Sequence, residues 1–278
     1  MKSKNLYQFF IAFTLFALML FSAKYLYISK LQKDFLKTFK VYNVTDLDGS
    51  EVRFIRHGKN NDGGYVVPEK LLQQSDVLMG YGIADDISFE EYFSDIYKKP
   101  SFGFDCGVDK IKITNPLVKF IPECIGTDKF LYQKQSSSLK ISSFSSHLNV
   151  LDLKDKNIFI KMDIEGAEYE EAVFSDILMH SKQITGIVLE IHWLNKKEYL
   201  NSAVNLVKKI NQKFYLIRLH GNNYGRPFRI RNKKYPSVLE LTFINKNLTQ
   251  DANIKKYCAP DEFDMPNRKD KPDHKFCI

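Results

Sequence analysis

The sequence predicts an α/β fold: an open, mostly parallel, Rossmann-like sheet flanked by helices and preceded by one transmembrane helix. Two patterns predict the sheet. Short apolar, β-branched runs alternate with helical patterns, and several of these runs end in a glycine turn or an acid, as strands do where an open α/β sheet binds its ligand. The third observation is the apolar run over residues 6–28, LYQFFIAFTLFALMLFSAKYLYI, which has roughly the length that crosses a bilayer.

The strand-to-turn-to-helix junction at residues 158–173, IFIKMDIEGAEYEEAV, organises the rest. Ile158, Phe159, Ile160 and Lys161 read as a buried strand, Gly166 permits a tight turn, and Glu168 and Glu170 suit the positive end of the following helix. Asp163 stands at the strand tip before any helix begins, so its carboxylate points to a site rather than to a cap.

A chain of 278 residues, 44% hydrophobic, supports one core of ordinary size. The net charge of +8 is compatible with lipid headgroups, phosphorylated substrates or nucleic acid, but the absence of zinc-finger or arginine-rich blocks ranks nucleic acid last. Cys106, Cys124, Cys258 and Cys277 show no CxxC spacing, which argues against structural zinc and leaves disulfides or free thiols open.

In chain order, residues 1–30 read as an uncleaved membrane anchor, since Phe21 occupies a position where signal cleavage after Ala23 needs a small residue. Tyr25 and Tyr27 suit the headgroup layer, and the lysines from Lys24 to Lys40 lean toward a cytoplasmic body, with the opposite orientation open. Residues 31–50 read as a charged stalk and residues 51–278 as the globular body. Residues 62–68, DGGYVVP, are a glycine turn feeding a strand. A strand at residues 76–79 then runs into Gly80-Tyr81-Gly82, and a helix starts near Ser88. Glycines let backbone N–H groups approach a nucleotide-sized ligand, and Asp105, at the end of the next strand, has the position of a ribose-binding acid. A further strand-like run ends near Asp128, placed to line an adenine pocket. His192 follows the strand at residues 184–191 on the same edge as Asp105 and Asp163, and histidine suits proton transfer near neutral pH. Two late strands joined without a helix predict an antiparallel pair at a sheet edge, bracketing HGNNYG at 220–225 and a basic run from Arg226 to Lys234.

With KMDIEGAE at 161–168, DGGYVVP at 62–68, GYGIADD at 80–86, FD at 104–105, LEIHW at 189–193 and HGNNYG at 220–225, the chain resembles the FkbM-type branch of S-adenosylmethionine-dependent methyltransferases over roughly residues 50–270. The resemblance implies a class I methyltransferase fold, a seven-stranded, mostly parallel sheet whose last strand is antiparallel. It implies that Gly80, Tyr81 and Gly82 approach the cofactor, that Asp105 binds its ribose, and that Asp163 stands near the transferable methyl. It also implies transfer to an oxygen, commonly a hydroxyl of a sugar or glycan acceptor. Met79 replaces the acid that usually precedes the first glycine. His192 or Asp163 is the expected general base, with Glu165 and Glu168 orienting the acceptor or supporting the turn; no metal is expected. Two rival functions fit the layout, a membrane-anchored glycosyltransferase and a degenerate domain that only binds. The glycine turn with Asp105 downstream argues against the first, and retained acids at two strand ends argue against the second.

Overall fold

The computed structural model describes residues 2–126 and 139–278; in the first helix the described side chains begin at residue 13 and omit residues 15 and 23. Asp128 lies outside the described residues.

Seven strands form the central sheet: β1 (Val77–Tyr81), β2 (Ser101–Phe104), β3 (Val118–Ile121), β4 (Ile158–Met162), β5 (Ile184–Ile191), β6 (Phe214–Gly221) and β7 (Leu239–Asn245). The principal helices are α1 (Lys2–Thr38), α2 (Glu69–Gln74), α3 (Ser88–Tyr97), α4 (Phe144–Val150), α5 (Glu171–Met179) and α6 (Lys197–Ile210). Across the sheet the order is β6-β7-β5-β4-β1-β2-β3, with β7 antiparallel to both neighbours and the other pairs parallel. The expected seven-stranded sheet is therefore present. The late antiparallel pair lies at one end of it, with β7 inserted between β5 and the edge strand β6.

Burial explains why these runs became strands. Every residue of β1, β4, β5 and β7 is buried, as expected for strands covered on both faces. The run at residues 118–125 splits at Pro122, which cannot donate to a ladder, into β3 and the two-residue strand Cys124–Ile125. After β4 the chain first makes a 3-10 turn, Ala167–Tyr169, before α5 begins. α6 buries Leu200, Ala203, Val204, Leu206, Val207 and Ile210, an apolar stripe at helical spacing.

Two expectations change at the amino-terminal end. The stretch at 31–50 is no stalk. Leu31 and Phe35, four residues apart on one face of α1, and Phe39 just past its end are buried in the core, and the strand Val41–Asp46 pairs with Thr249–Lys255. The folded body thus starts about twenty residues earlier than the charge pattern implies. Among the described residues, no helix is long and apolar enough to cross a membrane, and the first residues of the expected span, 6–12, have side chains outside the description.

All four cysteines are paired, Cys106 with Cys124 and Cys258 with Cys277. The first pair ties the β2 exit to the segment after β3. The second closes the carboxyl-terminal tail, whose Cys258–Ala259 and Phe276–Cys277 strands pair antiparallel.

Candidate active site

Sheet register builds the site. Tyr81, Phe104 and Met162 are neighbours across β1, β2 and β4, so the residues that follow them, Gly82, Asp105 and Asp163, emerge side by side at the carboxyl edge. Leu189 of β5 pairs with Met162, which places Glu190 level with Asp163 and His192 just beyond.

The glycine turn is packed against protein. Gly82 has φ +70°, its N–H donates to the Phe104 carbonyl at 2.9 Å, and a Cβ there would stand 1.7 Å from the Asp163 carbonyl oxygen. Gly82→Ala is therefore expected to lose more than about 4 kcal/mol of stability, read by chemical denaturation, because both the backbone conformation and the contact between strand tips fail. Tyr81 does not face the cleft. Its ring is fully buried, stacked on Phe104 at 4.7 Å, and its hydroxyl lies 3.2 Å from His147 Nδ1, so only its backbone borders the site.

Beneath the turn lies a carboxylate that sequence reasoning missed. Glu90, on the buried face of α3, directs its side chain at Gly80, where a Cβ would meet the carboxylate oxygen at 1.7 Å. It is fully buried, and among the described residues neither oxygen has a hydrogen-bond partner. Burial pushes its carboxyl up to about 7, against the opposing charge of Lys161. Met79 is buried in the apolar core, so an acid is supplied to this turn from a helix instead of from the strand. The only sequence signal was its place between Phe89 and Phe93 in the helix.

Asp105 accepts from Ala84 N–H at 2.9 Å through Oδ2 and from Gly107 N–H at 2.7 Å through Oδ1. Each oxygen keeps a second lone pair, so the carboxylate is held in place and can still accept hydroxyl hydrogens.

Asp163, Glu190, His192 and Glu168 form one cluster. His192 Nδ1 is 3.2 Å from Glu168 Oε1, and its Nε2 is 3.4 Å from Glu190 Oε1 and 3.5 Å from Asp163 Oδ1. Burial alone would depress the imidazole, but the hydrogen bonds and charges of Glu168 and Glu190 outweigh it and lift His192 to about 11. Raised in this way, His192 favours the imidazolium form and suits a charge partner of Asp163 more than a general base. Burial raises Asp163 above the usual carboxylate range, opposed by Lys161 and His192, and burial with the Asp163 charge raises Glu190 to about 8. The Asp163 side chain is 28% exposed and that of Glu190 only 5%, so Asp163 is the one an acceptor reaches.

Glu165 is exposed at φ +46° and does not join the cluster; Glu168, fully buried, takes its place. Glu168 accepts from Gly166 N–H at 2.5 Å and from His192 N–H at 3.2 Å, holding the turn and the imidazole together. The two glycine-rich motifs supply the remaining partners. Tyr65, from the hairpin formed by Phe54–His57 and Tyr65–Pro68, places its hydroxyl 3.4 Å from Glu190, and Asn222 donates to Glu190 at 2.9 Å. His220 is clasped between Glu240 at 3.0 Å and Asp273 at 2.9 Å, and Asn223 donates to tail carbonyls, so the rest of HGNNYG anchors the tail.

Asp163, Glu190 and His192 each offer one atom within 4.8 Å of the others, a spacing that fits a metal ion. A cavity of about 360 Å³ beside Asp95, Lys98 and Asn115 lies at the opposite, amino-terminal edge of the sheet.

No family model and no curated protein matches the chain. Among solved structures it is similar to a putative ribosomal RNA methyltransferase from Plasmodium falciparum, with 13% identity over 64% of this chain and 90% of that one and a TM-score of 0.37. It is also similar to a putative tRNA (m1A22) methyltransferase from Streptococcus pneumoniae in complex with S-adenosyl-L-methionine, at 10% identity over 64% of this chain and 73% of the other, TM-score 0.29. A third is a fibrillarin/Nop5p complex, at 9% identity over 73% and 97%, TM-score 0.35. Likeness at this level carries no argument, and the reading of the cofactor site rests on the site itself.

Proposed function

We propose that the protein is an S-adenosylmethionine-dependent methyltransferase that methylates a hydroxyl oxygen, with a sugar or glycan as acceptor. The observation that carries this reading is the convergence at one sheet edge of the glycine turn, Asp105 and the Asp163 cluster. The residues present fit the cofactor. Asp105 keeps lone pairs for the two ribose hydroxyls, and the orphaned carboxylate of Glu90 under Gly80 complements a cationic ligand at that turn. When bound, the sulfonium supplies a methyl group already activated for transfer, so the protein needs alignment and removal of one acceptor proton.

Asp163 takes the proton role. A carboxylate held above its usual pKa is a stronger base once ionised, and its Oδ1 makes no hydrogen bond among the described residues. His192 is a positioning residue: its positive charge keeps Asp163 ionised, while Glu168 fixes the ring. The acceptor as a sugar or glycan comes from the sequence resemblance alone.

The chain's apolar amino-terminal helix supports attachment to a membrane through residues before about 28, and the two cysteine pairs favour a body in an oxidising compartment, against the lean of the flanking lysines.

Full-length protein incubated with methyl-labelled cofactor and membranes of the expressing cells tests the reading. Time-dependent transfer of label to an acid- and base-stable ether is expected. Cofactor bound at saturation without any transfer would move the protein to the binding-only class.

A further inference from the structure

We infer that the carboxyl edge of the sheet, with the candidate active site, faces a lipid surface, and that the acceptor is a hydroxyl carried on a lipid, such as the sugar of a glycolipid. The acceptor half rests on the methyltransferase reading; the orientation does not.

The direction of α1 carries the argument. Near the end of α1, Thr38 O accepts from Asn211 at the end of α6, and Asp34 lies 3.7 Å from Lys208. At the other end of the contact, Lys197, the first residue of α6, sits 4.0 Å over the Tyr27 ring. The two helices therefore run parallel, side by side in the same direction. α6 starts just after His192, so Tyr27 stands level with the candidate active site. Preceding residues of α1 project past that edge, and back to Phe13 they extend about 20 Å at 1.5 Å per residue.

This projecting stretch is apolar on every side. Leu18, Met19, Leu20 and Phe21 are 57%, 68%, 57% and 71% exposed, and four consecutive helical residues sample all directions around the axis. A protein partner seated on one face would leave the others in water, whereas lipid surrounds the helix, the usual setting of one that is hydrophobic all round. The foot of the stretch matches a headgroup layer. Tyr25 and Tyr27 are exposed, and the hairpin of Phe228–Ile230 and Lys233–Tyr235 packs beside it, with Arg231 N–H donating to Gln32 at 3.3 Å. That hairpin exposes Arg229, Arg231, Lys233 and Lys234, and Lys30 is exposed nearby in sequence, giving cationic groups for lipid phosphates. The basic run left unassigned by the site thus acquires a place at the same edge as Asp163.

Trp193, the only tryptophan in the chain, reports on this edge: it follows His192 and packs on Tyr199 at 4.9 Å. The full chain is reconstituted into phosphatidylcholine–phosphatidylglycerol vesicles with and without headgroup-nitroxide lipid. Loss of most Trp193 emission is expected, with little loss from a Trp193→Phe, Gln212→Trp variant, whose reporter lies in the turn at the far end of α6. Equal or stronger quenching at position 212, no quenching at 193, or failure to associate with the vesicles overturns the orientation. The acceptor is read separately, by incubating membranes of the expressing cells with methyl-labelled cofactor. Label extracted with the lipids is expected; label in water-soluble product overturns the lipid acceptor. Quenching at Trp193 in a chain that binds no cofactor leaves the orientation standing and removes the methyltransferase reading.

Discussion

Asp163→Asn is expected to lower methyl transfer about a hundred- to ten-thousand-fold, the usual contribution of one positioned base, while cofactor affinity changes little. The amide keeps the shape of the side chain but cannot take the acceptor proton. The pH profile separates this role from a structural one. Wild-type activity should rise with pH along a limb above the usual carboxylate range, because burial holds Asp163 there. His192→Asn should move that limb to still higher pH, since it removes the cation 3.5 Å from Oδ1. A limb unmoved in His192→Asn would show that the imidazolium does not control Asp163.

Glu90→Gln is expected to stabilise the protein at pH 8 by about 3 kcal/mol relative to its effect at pH 4. The fully buried carboxyl is raised from 4.5 to about 7. A group raised on folding gives stability that is fully present below its unfolded value and is lost as pH rises through the folded one. The loss therefore runs between pH 4.5 and about 7, where the wild type must either carry a proton or bury a charge without a hydrogen bond. Urea unfolding of both proteins at the two pH values measures it. An identical pH dependence in Glu90→Gln would mean that Lys161 compensates the charge more fully than the geometry indicates. Cofactor binding should weaken in the same variant if the carboxylate serves the turn.

The sheet was legible because its strands are continuous apolar runs. β5 matches its sequence reading residue for residue, since a run buried on both faces leaves no polar position to blur its ends. The carboxyl edge was legible too, because Asp105, Asp163 and His192 each follow such a run directly. What one residue does beside another was less so. His192 reads as a base in isolation, but Glu168 lies 24 residues away in sequence and Glu190 acquires its strength from burial, so the protonation state is a tertiary property. Glu165 and Glu168 differ only in which way a three-residue turn points them. Glu90 was hidden inside an amphipathic helix, where an acid usually marks the solvent face. The buried start of the body was hidden for a similar reason: Leu31, Phe35 and Phe39 continue the apolar run of α1, and only packing against α6 and Tyr235 distinguishes them from it.

The most direct measurement is a calorimetric titration of S-adenosylmethionine into the folded full-length protein in detergent, beside Asp105→Ala. Micromolar binding that is lost in Asp105→Ala, with the fold of the variant intact, is the expected result. Absence of binding by a folded wild-type chain, or unchanged binding in Asp105→Ala, would contradict the assignment of this edge as a cofactor site.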